Sequence, residues 1–214
     1  MPQSYDALMW EAAQFLDESL DHYIIDIDLA GHATDTVQEA LVVAARREPV
    51  DILRQIADSV GFEDPALTVA SIALINGFES IYDLTAWEST AVVHIEPNAL
   101  DLIFIRDVRI KLLVMPLDTG AGSEMEALRA FGDQFRYLLN DMTEEEAPDT
   151  VYVSNTNRHV ARLCSAWGEQ LNRRVTQASP FQKIDVPGDL KDTVGNLNPS
   201  AFMVAVGLGC QRLG

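Results

Sequence analysis

TAVVHIEPNALDLIFIRDVRIKLLVM, residues Thr90 to Met115, holds three apolar, β-rich runs at 90–95, 99–105 and 108–115. Pro97-Asn98 and Arg106-Asp107 separate them, and such short polar or proline-containing breaks between strand-like runs are turn signals. The stretch therefore predicts an antiparallel meander. Downstream, Ser123 and Glu126 form an S-x-x-E capping box, in which two side chains satisfy free amides of a helix start. Met125, Leu128, Phe131, Phe135, Leu138 and Leu139 give the helix that follows a buried stripe. Glu144, Glu145 and Glu146 read as a solvated acidic connector. Residues 150–154 (TVYVS) predict a strand, Val160 to Leu171 a helix with Leu163, Cys164 and Trp167 inward, and Val175 marks a short strand. Pro180, Pro187, Gly188 and Gly195 punctuate a long loop over 179–198. Asn198-Pro199 is a cap followed by a first-turn proline, opening a last helix through Phe202, Ala205 and Leu208.

Upstream of the meander, residues 5–20 place Leu8, Met9, Ala12, Phe15, Leu16 and Leu20 on one helical face. Tyr23, Ile25, Ile27 and Leu29 then alternate with Asp26 and Asp28, a strand period. After a loop at Gly31 to Asp35, EALVVAA at 39–45 predicts a second strand. Pro49 suits a helix first turn, Ile52, Leu53, Ile56, Ala57 and Val60 recur at helical spacing, and Gly61 ends the element. ALTVASIALINGF, starting at Ala66, is apolar nearly all round, so periodicity alone leaves it a helix or a strand plus helix. The order is αββα, a buried apolar segment, βββ, αβαβ, loop and helix, with no repeat of solenoid period. This is an α/β chain of two lobes.

The 214 residues carry 33 Asp and Glu against 15 Lys and Arg, a formal charge of -18, with 48% hydrophobic residues. That length and hydrophobic content allow a real core. The charge argues against a nucleic-acid backbone or an anionic lipid surface as principal partner, since like charges repel. No apolar run reaches the roughly 18 residues of a membrane span, and Met1 to Leu20 lacks a secretory signal's basic start and unbroken apolar stretch. Cys164 and Cys210 stand far apart without C-x-x-C spacing and read as reduced thiols. His22, His32, His94 and His159 make no ligand pair, so no metal is expected. Neither a G-x-S-x-G elbow nor a G-x-x-x-x-G-K-[ST] loop is present.

Four stretches resemble one family: WEAAQFLDESLDHYIIDIDL (Trp10 to Leu29), EALVVAARREPVDILRQIADSVGF (Glu39 to Phe62), AVVHIEPNALDLIFIRDVRI (Ala91 to Ile110), and TVYVSNTNRHVARLCSAWGEQLNRRV (Thr150 to Val175) with NPSAFMVAVGLGCQRL (Asn198 to Leu213). Together they are similar to the PilM group of type IV pilus assembly proteins and the related GspL-like proteins of type II secretion, in the actin-like ATPase superfamily close to FtsA. The resemblance implies a two-lobed actin-like (ribonuclease H-like) fold with a small extra α/β subdomain and an incomplete first lobe. It assigns 1–62 to the small αββα subdomain, 63–88 with 190–214 to the helical remainder of the first lobe, and 89–189 to the second lobe.

The nucleotide elements of that family are altered here. Nothing like its first phosphate loop precedes Tyr5. Its D-I-G turn, where glycine lets backbone N–H groups approach a phosphate, is His94, Ile95 and Glu96 followed by Pro97. A carboxylate repels phosphate and proline lacks an N–H. The late glycine run is replaced by Asn155, Thr156 and Asn157, residues suited to helix capping. The resemblance so modified implies a pseudo-ATPase without cofactor or catalytic residue.

Other side chains have ordinary readings. His94 is a strand residue with a satisfied ring, and Glu96 and Asp101 are solvated carboxylates rather than an acid-base pair. Asp26 and Asp28 protect a strand edge. Arg46 and Arg47 pair with Asp51 or anchor an acidic segment. Trp10, Trp87 and Trp167 are core or seam residues.

In the resembled family a groove between the first lobe and the extra subdomain receives the short cytoplasmic tail of a PilN-type inner-membrane protein. Carried over, the lining is Tyr23, Ile25, Ile27 and Leu29, then Val42 and Arg46 of the Glu39–Arg46 run, then Leu74 of the Ala66–Phe78 segment. A docked tail would gain strand-addition hydrogen bonds, and a basic or neutral tail suits an acidic receptor. The expectation is a cytoplasmic scaffold of a pilus or secretion platform, peripheral to the inner membrane through its partner, with a homodimer through an uncovered sheet edge. The alternatives are a fragment of an active ATP-binding member and an unrelated acidic adaptor.

Overall fold

The computed structural model describes residues 5–30, 39–63, 65–82, 89–97, 99–106, 109–117, 124–144, 146–155, 160–195 and 197–210. The chain divides into two compact units, Met1–Leu67 and Thr68–Gly214. The Ser123 cap, Asn98, Asp107, Trp87, Glu145, His32, His159, Thr156, Asn157 and the Gly31–Asp35 loop lie outside the described residues.

In the first unit, α1 (Tyr5–Ala13) is followed by a 3-10 turn (Leu20–His22), strands β1 (Tyr23–Ala30) and β2 (Glu39–Arg46), and α2 (Arg47–Ser59). The strands form a two-stranded antiparallel sheet that pairs Tyr23 with Arg46, Ile25 with Ala44 and Ile27 with Val42. Gly61, at φ 88°, ends α2: its N–H donates to Asp58 O (3.1 Å), and that of Phe62 to Ala57 O (3.0 Å). Only glycine takes that backbone conformation without steric cost. The opening helix is shorter than its periodicity predicts. Leu8 and Ala12 are buried, but the helix stops at Ala13 and Phe15 is 88% exposed. Trp10, expected in the core or at a subdomain seam, is 69% exposed and so is not in the core, because it lies off the Leu8–Ala12 side.

The second unit is built on the meander. Helix α3 (Ala70–Ile81) leads into β3 (Thr90–Ile95), β4 (Ala99–Arg106) and β5 (Arg109–Pro116). Then come α4 (Glu124–Asn140), β6 (Thr150–Asn155), α5 (Val160–Leu171), β7 (Arg174–Gln177), α6 (Lys191–Gly195) and α7 (Met203–Cys210). The sheet order is β5-β4-β3-β6-β7. The three meander strands are antiparallel, while β6 and β7 run parallel to β3. A parallel pair needs a crossover, which α4 and α5 supply.

Alternation along the strands then feeds two cores. Ala91, Val93, Ile95, Leu102, Phe104, Val151 and Val153 meet Leu128, Phe131, Phe135, Leu163 and Trp167 of α4 and α5. Val92, Ile103 and Ile105 meet Leu74, Phe78 and Ile81 of α3 and Met203 of α7. The apolar segment from Ala66 is thus a helix after an extended lead-in. Residues 63–88 and 190–214, expected with the first lobe, supply α3 and α7, which share one core with the meander, because the sheet's second face needs a cover. The 179–198 loop contains 3-10 turns at Pro180–Gln182 and Gly188–Leu190 as well as α6.

Both cysteines are free thiols. Burial pushes the Cys164 thiol up to about 11, so its reactive thiolate is scarce at neutral pH. Alkylation of the native protein at pH 8 is expected to label the half-buried Cys210 and spare Cys164 until denaturant is added. Peptide mass spectrometry reads both sites, and equal labelling without denaturant would contradict the packing of α5.

Candidate functional site

The carboxyl ends of parallel strands are where open α/β sheets hold ligands. In the second unit that edge is formed by β3 and β6, and the residues expected at the altered phosphate turn lie there. Ile95 points into the α4/α5 core at 2% exposure. The Glu96 N–H donates to Ala99 O at 2.9 Å, and Pro97 has no N–H to give. The Glu96 carboxylate is exposed at the turn, with Oε1 3.6 Å from His94 Nε2.

His94 faces the other way, at the centre of a row set by strand register. It is paired with Asp101 across β4 and with Ser154 across β6. The Ser71 hydroxyl, from α3, donates to Asp101 Oδ2 at 2.6 Å. Ser154 Oγ donates to Ser200 O at 3.1 Å, which uses its only proton. His94 Nδ1 stands 3.2 Å from the same Ser154 Oγ, so the hydroxyl joins the ring to the Ser200 carbonyl in one hydrogen-bonded chain. Asp101, expected to be solvated, is 7% exposed and hydrogen-bonded. Its register position places it under α3, which no local sequence signal reports.

The end of β6 is filled by the turn preceding α7. Asn155 N–H donates to Ser200 Oγ at 3.3 Å, and Asn198 Nδ2 donates to Asn155 O. Asn198 Oδ1 caps this turn by accepting Ser200 N–H at 3.1 Å. Asn155 is thus a buried strand residue rather than a helix cap. Ser154 has no exposed surface. The row is chemically a clamp. It ties α3, β4, β3, β6 and the turn preceding α7 together.

The first unit gathers the other group. Register places Tyr23, Ile25, Ile27, Val42 and Arg46 on one face of the β1–β2 sheet. Tyr23 is buried, Ile25 and Ile27 half-buried, and Val42 and Arg46 exposed. The side chain of Leu29 lies outside the described residues. Leu74, assigned to the same lining, has no exposed surface and belongs to the α3 core of the second unit. An apolar run reads alike whether it lines a groove or fills a core.

Arg46 pairs with Glu18 at 3.2 Å rather than with Asp51. Arg47 donates through Nη2 to Tyr23 O (3.1 Å) and through Nε to Asp21 O (3.2 Å), holding the start of α2 against β1. Both arginines edge a polar cleft of about 500 Å³, lined by Glu18, Asp21, His22, Arg46, Arg47, Glu48, Asp51, Ile52 and Gln55. Sequence reasoning had only the Arg46-Arg47 pair as a pointer to this cleft. Glu18 lies in the run read as helix over residues 5–20, and Asp21 just beyond it.

No protein-family model matches the chain, and no curated protein matches it. Solved structures do match. A chain of a PilM-PilN type IV pilus biogenesis complex superposes with a TM-score of 0.77 at 17% identity, over 99% of this chain and 74% of that one. A Bacteroides thetaiotaomicron protein with actin-like ATPase fold and unknown function gives a TM-score of 0.53 at 7% identity, over 83% of this chain and 62% of that one. The fold is actin-like.

Proposed function

We propose that this chain is a non-catalytic scaffold of a type IV pilus or type II secretion inner-membrane platform, docking the cytoplasmic tail of a PilN-like membrane protein. The observation that carries the reading is the likeness to the PilM-PilN complex chain over 99% of the sequence. The β1–β2 face offers strand edges and half-buried isoleucines, the combination by which an extended segment is bound through main-chain hydrogen bonds and side-chain pockets. The chain's charge of -18 favours a basic or neutral tail. Such docking would hold the protein on the cytoplasmic side of the inner membrane through its partner. The hairpin's outer edges would also serve a homodimer, which light scattering at rising concentration would detect.

Loss of catalysis is part of the same reading, supported by the Glu96–Pro97 turn and by the side chains that fill the end of β6. Calorimetric titration with Mg-ATP is expected to release no binding heat. Micromolar binding with turnover would overturn the non-catalytic half of the proposal alone. The other half is tested with the labelled cytoplasmic tail of the PilN-like protein from the same organism. Saturable binding that is lost in Ile27→Asp and Val42→Asp supports it. An unbound tail, or binding unchanged in both variants, refutes it.

A further inference from the structure

Helix α2 has no buried residue. Ile52, Leu53 and Ile56 lie along one side of it, and Val60 and Phe62 follow at its end; they are 49, 52, 54, 67 and 65% exposed. An open apolar area on the order of 500 Å² falls in the range where contiguous patches on soluble proteins mark interaction sites. A second observation gives the partner's chemistry. Residues 1–67 hold 14 Asp and Glu against Arg46, Arg47 and Arg54, a net -11 of the whole chain's -18. Ile52 belongs both to the stripe and to the cleft, where Glu48 and Asp51 stand beside it. The stripe therefore runs into a charged recess in which the carboxylates of Glu18, Asp21, Glu48 and Asp51 outnumber the guanidinium groups of Arg46 and Arg47.

We infer that α2 is a docking surface for a basic amphipathic helix of another polypeptide, separate from the β1–β2 face and independent of its assignment. Residues 52, 56 and 60 recur once per turn, the pitch at which a second helix sets its own apolar residues into the gaps. Lysines or arginines flanking that helix would enter the recess beside Glu48 and Asp51. A second copy of this chain fits worse, because it would bring another -11 unit against the first, whereas a basic segment turns the same field into attraction.

The test is fluorescence anisotropy of a synthetic amphipathic Leu/Lys helix titrated with the full chain. Saturable binding is expected to weaken as salt rises, because attraction between exposed charges is screened. Ile56→Asp should weaken it at least about tenfold with an unchanged circular dichroism spectrum. Should that variant lose its fold, Ile56→Ser takes its place. Glu48→Lys with Asp51→Lys should weaken binding and flatten its salt dependence. Val114→Asp, at an exposed apolar position on β5, should leave it unchanged. Equal binding of a scrambled Leu/Lys peptide or of a Leu/Glu helix would overturn the inference. So would binding indifferent to the α2 variants, or a peptide-free dimer that Ile56→Asp dissolves.

Discussion

Gly207→Ala is expected to destabilise the second unit by about 3 kcal/mol, the upper part of the usual range for overpacking a close-packed site. Helices α3 and α7 cross so closely that a Cβ on Gly207 would land in the main-chain carbonyl of Ala73, with Gly77 N 3.1 Å away. From the other side, a Cβ on Gly77 would stand 3.0 Å from Met203 O and 3.3 Å from Gly207 Cα. Main-chain atoms cannot turn aside as a flexible side chain can, so the helices must part. Parting them uncovers Leu74, Phe78 and Met203 and pulls on the Ser71 and Ser200 ends of the His94 row. Gly209→Ala is the matched control. It lies in the same helix with nothing within 4 Å, and alanine should stabilise it by roughly 0.5–1 kcal/mol through backbone entropy. Denaturant titration of both variants measures the difference. Shifts of equal size and sign would mean that the helices do not cross at these glycines.

The meander, the two strands after it and the capped last turn were legible because their signals are local: alternation, turn residues, an Asn-Pro cap. Layering was not. Phe15 keeps the helical period of Leu8 and Ala12, yet α1 ends before it, since periodicity records a face without recording whether anything covers it. Leu74 failed as a groove residue for the same reason. At the Glu96–Pro97 turn the carboxylate and the residue without an N–H are properties of the residues themselves, so sequence states them without any knowledge of packing. The clamp around His94 could not be read that way. Its members come from positions 71, 94, 101, 154 and 200, and only the registers of β3 with β4 and β6 bring them together. The pairing of Arg46 was equally hidden: Asp51 is nearer in sequence, but the chain entering β1 brings Glu18 to the guanidinium.

Trp167→Ala should be the most damaging substitution of all, costing about 3–5 kcal/mol, as expected for emptying a fully buried aromatic site. The indole has no exposed surface. Its ring lies 5.3 Å from that of Phe131, and its Nε1–H donates to Leu128 O at 3.1 Å. It also fixes the approach of α4 to α5, since a Cβ on Gly132 would fall 2.9 Å from Nε1. Trp167→Phe keeps most of the apolar contact and removes the donor, so roughly 1–2 kcal/mol separates it from the native protein. The order Ala worse than Phe, read by denaturant titration, distinguishes a packing role from a ligand-stacking role. A tryptophan waiting for a ligand would be partly open, and its loss would cost no more than the roughly 0.5 kcal/mol of an ordinary surface change. That small value would remove Trp167 from the core and, with it, the account of how the two crossover helices cover the sheet.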